Sequence, residues 1–428
     1  MARRFRSFAA LRETLGDISF DRPPAFVANA HVTGLGVARA LADHGVPVIA
    51  LDRIGDGVAP YSEAVEFAGE VTYPLDDVGA FGEDLAALSA EVAHDPVYFG
   101  CMDEWVHGLV AADPDGIVRP FSDRSVIDAV LNKESLYSTA ERLGVPYPET
   151  YRIRGIGGDS VLTGDAAPHR CDPAEVLEEL SFPLVLKPAL KRRFAEAIGT
   201  NVIEVTERRE YDEVLEAADD ADVRVMAQEK VPVARGDDHS YVSYVPPNGD
   251  AIGIVGNPLV RYPQGYGTSC VVDHVAEPVI EQRARAVLSD AGYHGISEAE
   301  FVYDSDRGEY VLLDVNTRPW KWIDLPVSTG VNLPYAAYAD AVNDEYEPDL
   351  SDSAGGERWI YLADYLRLCA SDEEGTDVLT PDHKRALLSG AFETREDLTT
   401  GVFLPSDPDP ARQLLATETG TREYYCSC

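Results

Sequence analysis

Lysine is scarce in this chain. Only six of its 36 basic residues are lysines: Lys133, Lys187, Lys191, Lys230, Lys321 and Lys384. Basic charge of any kind is outweighed by 75 acidic residues, which leave a formal net charge of -39. A surface with that balance repels phosphate backbones and anionic lipid, so neither nucleic acid nor a membrane is expected as a partner. The acidic residues are spread along the whole chain and not gathered in a tail. Abundant Asp and Glu with little Lys is the composition of proteins adapted to concentrated salt, and the acidity therefore says little about a ligand. Long apolar runs are also missing: nothing approaches the roughly 18 consecutive residues of a spanning helix. The basic opening Met1 to Arg6 meets Glu13 and Asp17 before the apolar core of a signal peptide can form. The cysteines, Cys101, Cys171, Cys270, Cys369, Cys426 and Cys428, have neither zinc-ligand nor disulfide-framework spacing. A reducing, cytoplasmic setting is the expectation.

What the chain does have is length and apolar pattern. Its 428 residues, 45% hydrophobic, are enough for two or three packed domains. Near the N-terminus, Ala25-Phe26-Val27-Ala28 reads as a strand, 34–44 as a helix stopped by Gly45, and Val46 to Leu51 as a second apolar strand. Helix 81–93, strand 97–100 and helix 104–111 follow, which predicts a doubly wound α/β domain over 1–124. Gly34-Leu35-Gly36 with Asp52 beyond it resembles part of a dinucleotide fingerprint, although Arg39 stands where the third glycine belongs. A nicotinamide-dependent oxidoreductase is thus one alternative.

The next region is expected over 125–350. A helix over 132–143 ends at Gly144-Val145-Pro146, and Pro183 to Lys187 is a short apolar strand closed by Pro188. A strand at 201–205, a helix at 210–218 and a strand at 223–228 follow, then a hairpin around Pro246-Pro247-Asn248-Gly249. Ile296 to Asp304 and Glu309 to Asn316 alternate around the polar turn Ser305 to Gly308. Period two places Asp314 and Asn316 on one face of the second strand, and Glu298 and Glu300 together on the first. Pairing Asp304 with Tyr310 would set Glu300 opposite Asp314. Two carboxylates and an amide oxygen converging in this way suit magnesium, a hard cation. A solvated sheet face carrying ordinary acids would read the same.

Asp314-Val315-Asn316-Thr317-Arg318-Pro319 resembles the acidic-x-Asn-x-Arg-Pro signature of ATP-grasp enzymes. Asn132-Lys133 with Gly144-Val145-Pro146, Pro183 to Pro188, and Gln228-Glu229-Lys230-Val231-Pro232 resemble further parts of that superfamily in the same order. The resemblance implies a two-lobed ATP-grasp fold of α+β lobes over 125–350. An α/β pre-ATP-grasp domain would precede it, and a small, mainly helical region would follow over 351–428. It implies magnesium, or manganese, on Glu300, Asp314 and Asn316, with ATP phosphates on Lys133 and Lys187. Adenine would fall to Gln228, Glu229, Lys230 and Val231, and ribose to Asp237. Arg318 and Arg261 would hold an acyl phosphate or the oxyanion that follows it. Lys133 and Lys187 survive where lysine is rare, and a planar guanidinium does not replace a compact ammonium equally well.

Within the superfamily the likeness is to carboxylate-amine ligases such as the D-aspartate ligase group. Its cues are Gly236 to Tyr241, Arg261-Tyr262-Pro263 leading to Gly267-Thr268-Ser269, and Arg318-Pro319-Trp320. Small-molecule carboxylate and amine substrates follow from it, with a homodimer left open. Asp314 stands where Glu is more usual, and Leu190 to Phe194 departs from the usual Gly-rich lid, so that Arg192 or Arg193 either closes on phosphates or pairs with Glu196. Asp103-Glu104, at a strand end, either faces an amine or is solvated. A bicarbonate-using relative of biotin carboxylase or carbamoyl-phosphate synthase, and a silent ATP-binding regulator, are the other readings.

Overall fold

The computed structural model describes residues 5–156, 170–188, 202–264, 267–348, 355–371 and 377–418. Lys191, Arg192, Arg193 and Glu196 lie outside these residues. The first sheet is fully parallel, ordered Phe5–Arg6, Phe67–Glu70, Val48–Asp52, Ala25–Ala28, Val97–Gly100. Its central strands are short continuous apolar runs because helices cover both faces. The chain steps outward from Ala25–Ala28 and then returns to its other side with Val97–Gly100. A topological switch point therefore lies where helix Asp103–Ala112 begins. The edge strand Phe5–Arg6 and its neighbour Phe67–Glu70 were not expected.

The two glycines of the partial fingerprint serve packing. A Cβ on Gly34 would stand 2.2 Å from the Asn29 carbonyl oxygen, and one on Gly36 would stand 2.5 Å from the Ile323 side chain. Helix Val32–Ala42 can thus lie directly on its own loop and on the third sheet's helical layer. Asp52 accepts hydrogen bonds from the amides of Ala30 and Arg53, each at 2.8 Å, and so fastens the loop after Ala25–Ala28. Arg39 reaches Asp407 at 3.0 Å.

The second sheet runs Arg170–Cys171, Thr150–Ile153, Val225–Glu229, Leu184–Pro188, Ile203–Val205. Helices Pro173–Glu179 and Arg208–Asp220 accompany it, around a core that includes Leu184, Leu186, Tyr211 and Leu215. The third sheet has seven strands, ordered Glu309–Asn316, Gly295–Asp304, Asp238–Val245, Ile252–Tyr262, Thr268–Val275, Arg358–Ile360, Leu398–Thr400. All its pairs are antiparallel except the last. The region after 355 does carry helices, at Leu362–Ala370, Pro381–Ser389 and Asp409–Glu418. Its strands Arg358–Ile360 and Leu398–Thr400 nevertheless continue the third sheet, with Trp359 wholly buried. One core joins the first sheet to this layer, holding Val37, Leu41, Trp320, Trp322, Leu333 and Trp359 together.

Candidate active site

A cleft of about 680 Å³ is lined by residues of both the second and third sheets. Among the described residues, every ATP, metal and acyl-phosphate candidate named from the sequence lines it except Asp237. Asp237 instead accepts a hydrogen bond from the Ala234 amide at 2.9 Å in its own turn, and its neighbour Asp238 faces the cleft.

The hairpin floor owes its geometry to a bulge. Asp304 pairs with Glu309 and Tyr303 with Tyr310, one residue away from the expected register. Continued without interruption, that register would set Glu300 against Leu313. A bulge between Glu300 and Phe301 leaves Leu313 without a partner in the ladder, so Glu300 does face Asp314, and Glu298 faces Asn316. The Asn316 amide nitrogen donates to Glu298 at 3.1 Å and to Glu300 at 2.8 Å. Asp314 accepts from Lys133 Nζ at 2.8 Å, with both side chains buried.

Lys133 is aimed by its helix. Asn132 accepts from the Glu134 and Ser135 amides and starts Lys133–Leu143, so Lys133 is the first helical residue. Four residues on, Tyr137 donates to the carbonyl of the bulged Leu313 at 2.8 Å and accepts from Gln228 Nε2 at 3.0 Å. Gln228 is buried and also donates to Thr150 at 2.8 Å. Its side chain therefore braces the lobe, and what this segment offers the cleft beside it is backbone and its neighbours. Among those neighbours, Glu229 pairs with Arg307 at 2.5 Å and Lys230 with Glu204 at 2.6 Å. Lys187 stands across the ladder from Met226, on the second sheet's side of the cleft.

Three further cations line the cleft wall, each paired with a carboxylate from another element. Arg261 meets Asp238 at 3.0 Å, Arg318 meets Asp103 at 2.7 Å, and Lys321 meets Asp364 at 2.7 Å. Asp103 belongs to the first sheet's switch point, and Asp364 to the region after 355. Sequence reasoning placed Asp103 at a strand end but missed its partner, and it missed Lys321 and Glu298 as cleft residues. Period two had put Glu298 on the right face, which was the available signal; nothing local marks Lys321.

Glu298 tests whether the floor suits a cation. It is buried, and desolvation first and the charge of Glu300 second hold its carboxyl well above the ordinary range. The oxygen donors of this acid cluster are all hard, so a divalent cation fits. Among the described residues, three or more His, Cys, Asp or Glu do not close into a metal site by themselves. That is consistent with a floor in which an amide and bound oxygen ligands would complete the shell.

Paired carboxylates on a hairpin between two lobes, behind an α/β domain and with a lysine from each side, distinguish this architecture from a nicotinamide-binding one. The chain has the ATP-grasp fold. An L-amino acid ligase from Bacillus licheniformis superposes with a TM-score of 0.54 at 16% identity, over 78% of this chain and 77% of that one. The biotin carboxylase domain of the Hydrogenobacter thermophilus 2-oxoglutarate carboxylase superposes with a TM-score of 0.57 at 16% identity, over 78% and 73%. By sequence, a D-aspartate ligase of Enterococcus faecium (strain Aus0004) is 26% identical over 240 residues. That match covers 53% of each, so the chain spans about half the length of the curated relative it matches. No family model matches the chain. No helix among the described residues is long and apolar enough to cross a membrane.

Proposed function

We propose that this chain uses ATP to activate a small carboxylate and joins it to an amine. The observation that carries the reading is the bulged hairpin, which sets Glu300 against Asp314 with Lys133 on that pair, in a cleft that Lys187, Arg261 and Arg318 also line. The named relatives support the same chemistry: one is an L-amino acid ligase and one a D-aspartate ligase. The biotin carboxylase domain was solved with magnesium ADP and bicarbonate.

In this reading Lys133 and Lys187 take the ATP phosphates, and the Gln228 to Val231 segment takes adenine. Lys133 leaves Asp314 for a phosphate oxygen as the nucleotide enters. Glu300, Asp314 and Asn316 would hold magnesium, which supplies charge neutralisation at the phosphates. The substrate carboxylate attacks the terminal phosphorus, ADP departs, and an acyl phosphate results. Arg318 and Arg261 orient that group with fixed planar donors. The amine then attacks the acyl carbon, phosphate leaves, and the amine's surplus proton passes to solvent. The walls supply position and charge, which are the main catalytic contributions in phosphoryl transfer.

The test is ADP release with magnesium ATP in high salt, screened over acid and amine pairs with bicarbonate included. Release that requires both an acid and an amine is the expected result. Release with bicarbonate alone would move the assignment to a carboxylating enzyme. The absence of stimulation by any substrate, with ATP still bound, would leave a regulator.

A further inference from the structure

Lys321 is buried and lines the cleft. An ammonium has three donors. One goes to Asp364 Oδ2 at 2.7 Å and one to Thr268 Oγ1 at 3.0 Å. The Tyr361 ring lies 4.0 Å from the nitrogen. Asp364 does not belong to Lys321 alone, because it also accepts from Arg367 at 3.0 Å and divides its charge between two cations. Thr268 accepts from Lys321 through its oxygen, which leaves its own hydroxyl proton for a second acceptor. Both Thr268 and Lys321 line the cleft, with Arg318 three residues before Lys321 in the chain. Burial is the main influence on the Lys321 ammonium and lowers its pKa in spite of Asp364. An arriving anion would offset that cost.

We propose that Lys321 and Thr268 form a specificity site for a second anionic group, a carboxylate other than the one being activated, and that Asp364 and Tyr361 of the C-terminal region position it. The proposal rests on reading the cleft as the substrate site of a ligase. It commits the acid to carrying two carboxylates, the activated one at Arg318 and Arg261 and the other at Lys321. It also gives the region after 355 a part in the site: strand Arg358–Ile360 ends one residue before Tyr361, and helix Leu362–Ala370 carries Asp364.

The test is a binding titration that does not require turnover. Trp320 and Trp322 flank Lys321, so the full-length protein reports on this wall through tryptophan fluorescence. Monocarboxylates and dicarboxylates of three to six carbons, with and without an α-amino group, would be titrated with magnesium ADP present. At least one dicarboxylate should bind about tenfold or more tighter than the monocarboxylate of equal length, the value of one charge-assisted hydrogen bond. Lys321→Met should erase that preference while ADP affinity stays within about twofold. Thr268→Val keeps the side-chain shape and should reduce the preference severalfold, and it carries the test if Lys321→Met does not fold. No preference in the parent protein, or a preference that survives whichever of these variants fold, would overturn the proposal. So would an equal loss of ADP affinity, which would make Lys321 a nucleotide contact. ADP release over the same acids, with amines added, decides the ligase reading separately: binding preference without any turnover would sink that reading and leave the anion site standing.

Discussion

The floor and the wall of the cleft are built differently. On the floor, Glu298, Glu300, Asp314 and Asn316 come from two neighbouring strands, and their spacing is written in the local sequence. In the wall each cation is held by a carboxylate from a separate element: Arg261 by Asp238, Arg318 by Asp103, Lys321 by Asp364. Local order fixes the floor and tertiary assembly the wall. Mutations at the first should therefore damage chemistry with little effect on the fold, while the second should respond to anything that loosens the packing between regions.

The sharpest way to break this contrast is at the hairpin. Glu300→Gln should abolish ADP release, a loss of several kcal/mol of charge stabilisation, with a thermal midpoint near the parent's. Asp314→Asn should abolish release as well, with a lowered midpoint because Lys133 loses its buried partner. Near-normal turnover in either variant would remove the metal assignment.

The second test sits behind the wall, where the run carrying Lys321 continues to Asp324. Asp324 is half-buried beside Gly36, and its Oδ2 lies out of solvent without a hydrogen-bond partner. Burial raises its carboxyl to about 7. The folded state therefore binds a proton that the unfolded state releases near pH 4, so stability from this group is present below about pH 4 and is lost as pH rises towards 7. Asp324→Asn should be neutral in melts at pH 4 and stabilising at pH 8, by at most about 4 kcal/mol. A shift of equal size at both pH values would show that the effect is packing and not charge.

The third test compares two lysines. Lys187 lines the cleft, whereas Lys384 pairs with Asp377 at the surface. Lys187→Ala should weaken ATP binding roughly 10- to 100-fold, and Lys384→Ala should stay within about twofold. Equal shifts in a calorimetric titration would reduce the scarcity of lysine to an accident of composition.

The difference between floor and wall also explains what was legible. The parallel first domain, the helix from Lys133 and the strand ending at Pro188 follow from apolar runs and from Asn132 and Gly144 as stops. Glu300 opposite Asp314 was anticipated through a pairing of Asp304 with Tyr310 that does not occur. Two offsets cancel: the turn is one residue tighter, and the ladder then gives one residue back at Leu313. No alternation pattern announces a bulge, because an extra residue is recognised only by what binds its freed carbonyl. Lys321 was illegible for a related reason, since its carboxylate partner lies 43 residues downstream. The acidic pair Asp237-Asp238 as a whole stands where the resemblance places a ribose acceptor, and only the turn at Ala234 separates its two members.

The smallest expected effect tests the bulge itself. Tyr137 is buried, donates to the Leu313 carbonyl at 2.8 Å and accepts from Gln228 at 3.0 Å, so one hydroxyl ties the entry helix, the hairpin and the adjacent lobe. Tyr137→Phe keeps the ring and removes only that oxygen. The freed carbonyl is close enough to the cleft to find water, which limits the cost to about 1 to 2 kcal/mol of stability. If the bond does no more than stabilise, a melt will show that loss and ADP release will be unchanged below the transition. If it holds the bulge, Asp314 will wander relative to Glu300, and the magnesium concentration needed for half-maximal ADP release will rise severalfold while saturating magnesium restores the rate. That second outcome is expected, because Leu313 is the one ladder position between the paired carboxylates and the rest of the hairpin. An unchanged magnesium requirement would show that the strand keeps its bulge without Tyr137, and the register would then be set by the sheet alone.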